Sequence, residues 1–289
     1  MKYLVTGYKG QLGYDVVREL KKRNVADSDI YPMDINDMDI TNRDEVMTKV
    51  NEIKPDVIFH NAAWTNVDGA EDMKEACEKV NYLGAKNMAD AAKTVGAKIV
   101  YISTDYVFDG TKDGMYEIDD KPNPLSVYGK TKYQGEEAVR DYEKHFIVRI
   151  SWVFGINGKN FIRTMLKLSE SRDELNVVAD QHGSPTYAKD LAEFIYQAVT
   201  KKIPFGIYNA TNNGYTTWYD FTKAIFEYTG TVCKVNPVTT EKYIEMMKIT
   251  QAKRPKNSQM SKEKLMQAGI NVPEWEDGLK RYLREEGRM

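Results

Sequence analysis

Tyr128 and Lys132 stand four positions apart in the stretch VYGKTK, a spacing that puts a phenol and an ammonium one turn apart on a helix face. A free tyrosine titrates near 10 and is a poorly matched acid at neutral pH. A cation one turn away favours the phenolate and lowers that pKa, so the pair has the makings of a tuned proton donor. Two solvated surface residues on a helix show the same spacing, so the pair gains meaning only from its surroundings. Upstream, STDYVF supplies Ser103, Thr104, Asp105 and Tyr106 at the end of a strand-like run. A threonine hydroxyl there is suited to fix a carbonyl oxygen, and the three catalytic candidates Tyr128, Lys132 and Thr104 together have the chemistry of a ketone reductase.

The reductant has its own signal. TGYKGQLG sets Gly7, Gly10 and Gly13 in a G-x-x-G-x-x-G pattern between a strand-like and a helix-like run, with Gln11 and Leu12 in the same turn. Glycine permits the tight turn and close approach of backbone to a pyrophosphate, and the free N–H groups of a helix start attract phosphate. Asp34 ends the second strand-like run, where a carboxylate accepts from the adenine-ribose hydroxyls of NAD and repels the 2′-phosphate of NADP. Asp39 and Ile40 are expected to flank the adenine, and Ala62, Ala63 and Trp64 of HNAAWT to let the cofactor lie across the third strand end. Because Asp37 and Asp39 add to the negative charge around Asp34, NADH is expected to serve at least as well as NADPH. Lys9 and Arg43 are the cations that would admit the phosphate.

These residues need elements to hold them. KYLVT, DIYPMD, DVIFHNAA, KIVYISTDYVF and HFIVRISWVFG read as strands. Between them lie helical patterns in QLGYDVVRELKKR, in TNRDEVMTKVNEI with Thr41 as its cap, in one long helix from Glu71 to Val95, and in the segment carrying Tyr128. Such alternation predicts an α/β fold, a doubly wound parallel sheet with helices on both faces. Residues 1–155 form the dinucleotide-binding core on this reading, and residues 156–289 mainly a smaller substrate-binding lobe, with segments free to return to the core.

Composition narrows the remaining classes. The 289 residues are 42% hydrophobic and 29% charged with a net charge of −2, which suits a globular protein and argues against nucleic acid or an anionic membrane as partner. Cys77 and Cys233 are far apart and the three histidines are scattered, so neither a disulfide framework nor a zinc site is expected. No signal-peptide core or membrane-spanning run is evident, and a cytoplasmic location is expected.

The glycine-rich start, the Ser/Thr closing the fourth strand and Y-x-x-x-K resemble the extended short-chain dehydrogenase/reductases. STDYVFDG, P-x-S-x-YGKTK-x-x-GE, R-x-SWVFG, DQ-x-GSPT and RP-x-NS, in this order as far as Ser258, resemble more closely the dTDP-4-dehydrorhamnose reductase family. The resemblance implies a Rossmann-type core, NADH or NADPH as cofactor and a nucleotide 4-keto-sugar as substrate. It implies that Tyr128 gives the proton and that Lys132 holds the nicotinamide ribose and tunes the tyrosine. Thr104, Asp105, Tyr106 and Trp152 would meet the sugar, and Gln181, Pro185, Thr186, Arg254 and Asn257 match positions around the nucleotide-sugar. Some relatives depend on Mg²⁺ held by acids at a dimer contact. A homodimer is therefore possible here, but only Asp15 and Asp190 stand near those places, and no metal is expected. Two alternatives stay open: a reductase of another nucleotide 4-keto-deoxysugar, and a non-catalytic regulatory subunit resembling the methionine adenosyltransferase beta subunit.

Overall fold

The computed structural model describes residues 1–248 and 251–289. The chain opens with β1 (Tyr3–Thr6), α1 (Gln11–Lys22), β2 (Ile30–Met33), α2 (Arg43–Ile53) and β3 (Val57–His60). Short helices α3 (Val67–Asp72) and α4 (Lys74–Glu78) lead through a π turn, Lys79–Leu83, into α5 (Gly84–Val95). Then come β4 (Lys98–Thr104), α6 (Val127–Arg140) and β5 (His145–Ile150). The second half adds β6 (Val153–Phe154), α7 (Phe161–Ser169), β7 (Glu174–Val178), β8 (His182–Gly183), β9 (Thr186–Tyr187) and α8 (Ala188–Thr200). It ends with β10 (Gly206–Asn209), β11 (Thr216–Thr217), α9 (Trp218–Thr229), β12 (Lys234–Val238), α10 (Thr240–Met247), α11 (Glu263–Gln267) and α12 (Trp275–Glu285).

Six strands form one sheet in the order β10-β5-β4-β3-β1-β2, every neighbour parallel. Parallel strands buried on both faces need apolar residues at both parities. Val5, Phe59, Val100 and Val148 meet Leu12, Val16 and Leu20 of α1 and Leu191 and Ile195 of α8. Their neighbours Leu4, Ile58, Ile99 and Ile147 face α2, α5 and α6 through Val50, Met88 and Val139. Each such buried side chain contributes about 1.5–3 kcal/mol. Since β1 has β2 on one side and β3 on the other, the order reverses there and a crevice opens at the carboxyl ends of the strands.

From the second half, β10 extends the sheet beside β5, and α8 packs on α1. What remains gathers round an aromatic cluster of Phe154, Tyr187, Phe221, Trp275 and Tyr282. Two local expectations are corrected. The cap of α2 is Asn42, whose side chain accepts the Glu45 N–H, while the Thr41 hydroxyl donates to Asp39 instead. The helix expected from Glu71 to Val95 is interrupted at Met73, between α3 and α4, and further on carries a π turn in which the Asn81 side chain is spent on tertiary partners. Its Oδ1 accepts the Trp64 N–H at 2.9 Å, and its Nδ2 donates to Thr131 and Cys77. Among the described residues no helix is long and apolar enough to cross a membrane.

Candidate active site

A cleft of about 1160 Å³ runs along the carboxyl ends of β1 to β5. Its floor is the glycine turn. Gly7 has φ +64°, donates its N–H to Met33 O at 2.8 Å, and leaves so little room that a Cβ would lie 2.8 Å from the Ala62 nitrogen. A Cβ on Gly13 would overlap the Gly7 carbonyl oxygen. No side chain caps α1, so the amides of its first turn remain available to an anion. Gly10, Gln11 and Leu12 line the same floor. Asp34 follows β2 directly, with its carboxylate 3.8 Å from Lys9 Nζ, so one cation already stands beside the acid. Asp39 also lines the cleft, but its carboxylate is engaged by the Thr41 amide and hydroxyl. Ile40, Ala62, Ala63 and Trp64 complete this end. Gln11 Oε1 and Asn61 Oδ1 are buried acceptors with no donor, and buried polar atoms normally have partners. A ribosyl dinucleotide supplies hydroxyl donors, so the residues present fit such a group.

At the other end of the crevice, Ser126 caps α6 by accepting the Gly129 N–H at 3.1 Å, and this brings Tyr128 and Lys132 to the wall beside Thr104. The pair is on the helix as expected, but its electrostatics differ from the expectation. Burial pushes the Tyr128 phenol above its ordinary value, and the Thr104 hydroxyl works against that shift. Lys132 is not among the groups acting on the tyrosine. Its amine instead donates to Ile102 O at 2.5 Å and lies 4.1 Å from the centre of the Tyr101 ring. Burial pulls this amine down to about 7, opposed by the carboxylate of Glu136. Glu136 is itself fully buried and takes two hydrogen bonds from Arg149, at 2.9 and 2.8 Å, and one from Ser103 at 2.5 Å.

Trp152 forms the far wall with φ +50°, a conformation costly for a bulky residue. It stacks on Trp218 with ring centres 3.6 Å apart and planes inclined by 13°. Trp218 also lines the cleft, and its indole N–H donates to Gln181 Oε1 at 3.2 Å. Asp105 and Tyr106 line the cleft, with Tyr106 packed edge-on against Tyr128 at 5.3 Å.

The whole chain can now be set against known proteins. The family described as RmlD substrate binding domain matches residues 1–287. The chain belongs to this family. The spore coat polysaccharide biosynthesis protein SpsK of Bacillus subtilis is 40% identical over 98% of this chain and 97% of its own length. A dTDP-4-dehydrorhamnose reductase of Aggregatibacter actinomycetemcomitans is 40% identical over 96% and 97%. The crystal structure of a dTDP-4-dehydrorhamnose reductase from Bacillus anthracis in complex with NADP superposes with a TM-score of 0.92 at 42% identity, covering 99% of this chain and 100% of that one.

Within the RmlD frame, five expected substrate residues do not line the cleft. Gln181 is buried behind Trp218, its amide donating to Thr240. Pro185 and Thr186 are buried at β9, where Thr186 pairs with Val153. Arg254 is closed on Asp68 through two hydrogen bonds at 3.0 and 2.9 Å, and Asn257 donates to the carbonyls of Lys112 and Gly114. Gln181 and Thr186 support wall residues from behind, through Trp218 and Val153. Trp218 and Asn81 escaped the sequence reading, and Arg149 and Ser258, which stand in the motifs R-x-SWVFG and RP-x-NS, were given no role in it. Trp218 reads as one more apolar helix position, and the other three act through residues far away in the chain.

The acids weighed for a metal, Asp15 and Asp190, each face an arginine, and Asp15 Oδ2 is left buried with no hydrogen-bond partner. Asp15 pairs with Arg18 at 2.9 Å, Asp190 takes two bonds from Arg281 at 2.6 and 2.7 Å, and Glu285 pairs with Arg18 and Lys189. No group of three candidate ligands occurs among the described residues.

Proposed function

We propose that this chain reduces the C4 keto group of dTDP-4-dehydro-L-rhamnose to dTDP-L-rhamnose with NADH or NADPH, a step of nucleotide-sugar and polysaccharide biosynthesis. The observation that carries the reading is one cleft shared by the glycine turn, Tyr128, Lys132 and Thr104, in a chain aligned end to end with relatives named for this reaction. The nicotinamide, when bound, supplies hydride to the carbonyl carbon. Gly7, Gly10 and Gly13 would cradle its pyrophosphate, Asp34 its adenine ribose and Lys132 its nicotinamide ribose. Tyr128 gives its hydroxyl proton to the carbonyl oxygen as negative charge develops there. Burial, by holding the phenol protonated, keeps this donor loaded. Thr104 orients the oxygen, and the Trp152–Trp218 wall excludes water and offers a flat apolar face to the ligand.

Asp34 supports use of NADH at least as well as NADPH, and Lys9 beside it supports dual use. The roles given to Tyr128, Lys132 and Thr104 use no metal, so EDTA should leave the rate unchanged. The test is an assay of several nucleotide 4-keto-6-deoxysugars with NADH and NADPH, followed at the nicotinamide absorbance. Tyr128→Phe should lower kcat by roughly 10²–10⁴-fold with less change in KM. If no keto-sugar is reduced and a partner enzyme co-purifies stoichiometrically, the regulatory-subunit reading replaces this one.

A further inference from the structure

The loop between β6 and α7, residues 155–160, belongs to the second half of the chain and lies on the glycine turn of the first. Asn157 donates its side-chain N–H to Lys9 O at 2.7 Å. Gly158, with φ +82°, lies against Gln11, where a Cβ on it would stand 3.6 Å from Gln11 Cγ. The loop is also tied down from its own side. Arg163 donates to the carbonyls of Ile156, at 2.7 Å, and of Gly158, and it pairs with Glu286 at the end of α12. Asn160 donates to Gly155 O at 2.9 Å and caps α7 by accepting the Arg163 N–H. A braced strap thus crosses from the second half of the chain to the first turn of α1.

Lys159 follows Gly158 in this strap, is exposed, and lines the cleft together with Gly10, Gln11 and Leu12. Two other lysines line the cleft. Lys132 donates to Ile102 O, and Lys79 belongs to the π turn whose Asn81 holds Trp64. Lys9, in the glycine turn itself, is turned toward Asp34. Among the described residues no carboxylate pairs with Lys159, whereas Arg163 beside it is closed on Glu286. A dinucleotide seated on the uncapped amides of α1 brings its pyrophosphate charge here, and the first turn holds no acid to repel it. Helix amides offer only a partial positive charge, while a lysine ammonium is a compact full charge on a flexible stem.

We propose that Lys159 is a cofactor-binding residue whose ammonium closes over the pyrophosphate of the dinucleotide, carried there by the strap. The inference rests on a nicotinamide dinucleotide occupying the glycine turn and not on the identity of the sugar. Because the strap is braced by Arg163 and Glu286, the charge of the cofactor also draws the second half of the chain onto the first.

Fluorescence titration of the full chain with NADPH, NADH and dTDP tests this without turnover. Lys159 is exposed, so Lys159→Ala should leave the melting temperature of the free protein unchanged. Its Kd should rise by roughly tenfold for NADPH and NADH alike, because both carry the pyrophosphate. The dependence of that Kd on salt should flatten, since one screened charge pair is gone. Affinity for dTDP should stay at the wild-type value. Unchanged cofactor affinity overturns the proposal. So does a loss confined to NADPH, which puts the lysine on the 2′-phosphate, or a loss confined to dTDP, which puts it on the substrate. A weaker Kd with wild-type salt dependence means lost packing rather than lost charge, and overturns it as well. A wild-type protein that binds neither NADH nor NADPH removes the dinucleotide and the proposal together, whereas cofactor binding without keto-sugar turnover sinks the reductase reading alone.

Discussion

Glu136 and Asp105 are two buried carboxylates reached from the end of β4, and the protein treats them in opposite ways. Glu136 has a guanidinium on both oxygens and the Ser103 hydroxyl beside it. Asp105 has hydroxyls and backbone amides, and its carboxyl rises to about 6. A desolvated charge is tolerated when a fixed counter-charge meets it, and the group then serves as an anchor. A desolvated carboxyl with only such partners sits near its own proton equilibrium. Arg149 also donates to Ile118 O, so the anchor extends to the loop after β4. The contrast separates a charge held by an ion pair from a carboxyl held by hydrogen bonds alone.

The contrast breaks most visibly in stability. Arg149→Met should cost about 3–5 kcal/mol, because it leaves the Glu136 carboxylate buried without its partner. Asp105→Asn should change stability by less than about 1 kcal/mol, since no ion pair is lost. Urea unfolding of both variants decides the matter, and equal costs would erase the distinction between them.

A smaller effect extends the comparison to a base. His60 is buried as the neutral ring, its Nδ1 2.9 Å from the Thr6 hydroxyl, and burial pulls it down to about 3. Between pH 6.5 and 3 the unfolded chain therefore binds the proton that the folded one refuses, so stability present above 6.5 is lost as pH falls through this window. At pH 5 the loss from this residue is about 2 kcal/mol. His60→Gln should narrow the gap between unfolding free energies at pH 7 and pH 5 by that amount. An unchanged gap would mean that the ring is not held neutral.

The smallest effect concerns the aromatic wall, where packing replaces charge. Trp218→Ala removes the partner that holds the Trp152 ring flat, a contact worth on the order of 1 kcal/mol beyond its buried area. The KM for keto-sugar should rise several-fold with the Kd for NADPH nearly unchanged, as read by titration and initial rates. Equal weakening of both would make the tryptophan pair part of the common core.

The amino-acid sequence by itself determined the features that depend on near neighbours. The glycine spacing dictates a turn that only glycine tolerates at Gly7 and Gly13. The spacing of Tyr128 and Lys132 dictates a shared helix face, and strand–helix alternation dictates the parallel sheet. What escaped depends on residues far apart in the chain. The π turn at Asn81 answers to Trp64 and Thr131, and the stack on Trp152 arrives from α9. The hydroxyl on Asp105 comes from Ser258, and the guanidinium on Glu136 from β5. The rise of the Tyr128 pKa, opposite to what the nearby lysine suggests, belongs with these. The tertiary structure alone decided it, because desolvation sums over every group that displaces water from the phenol, whereas spacing along one helix reports a single neighbour.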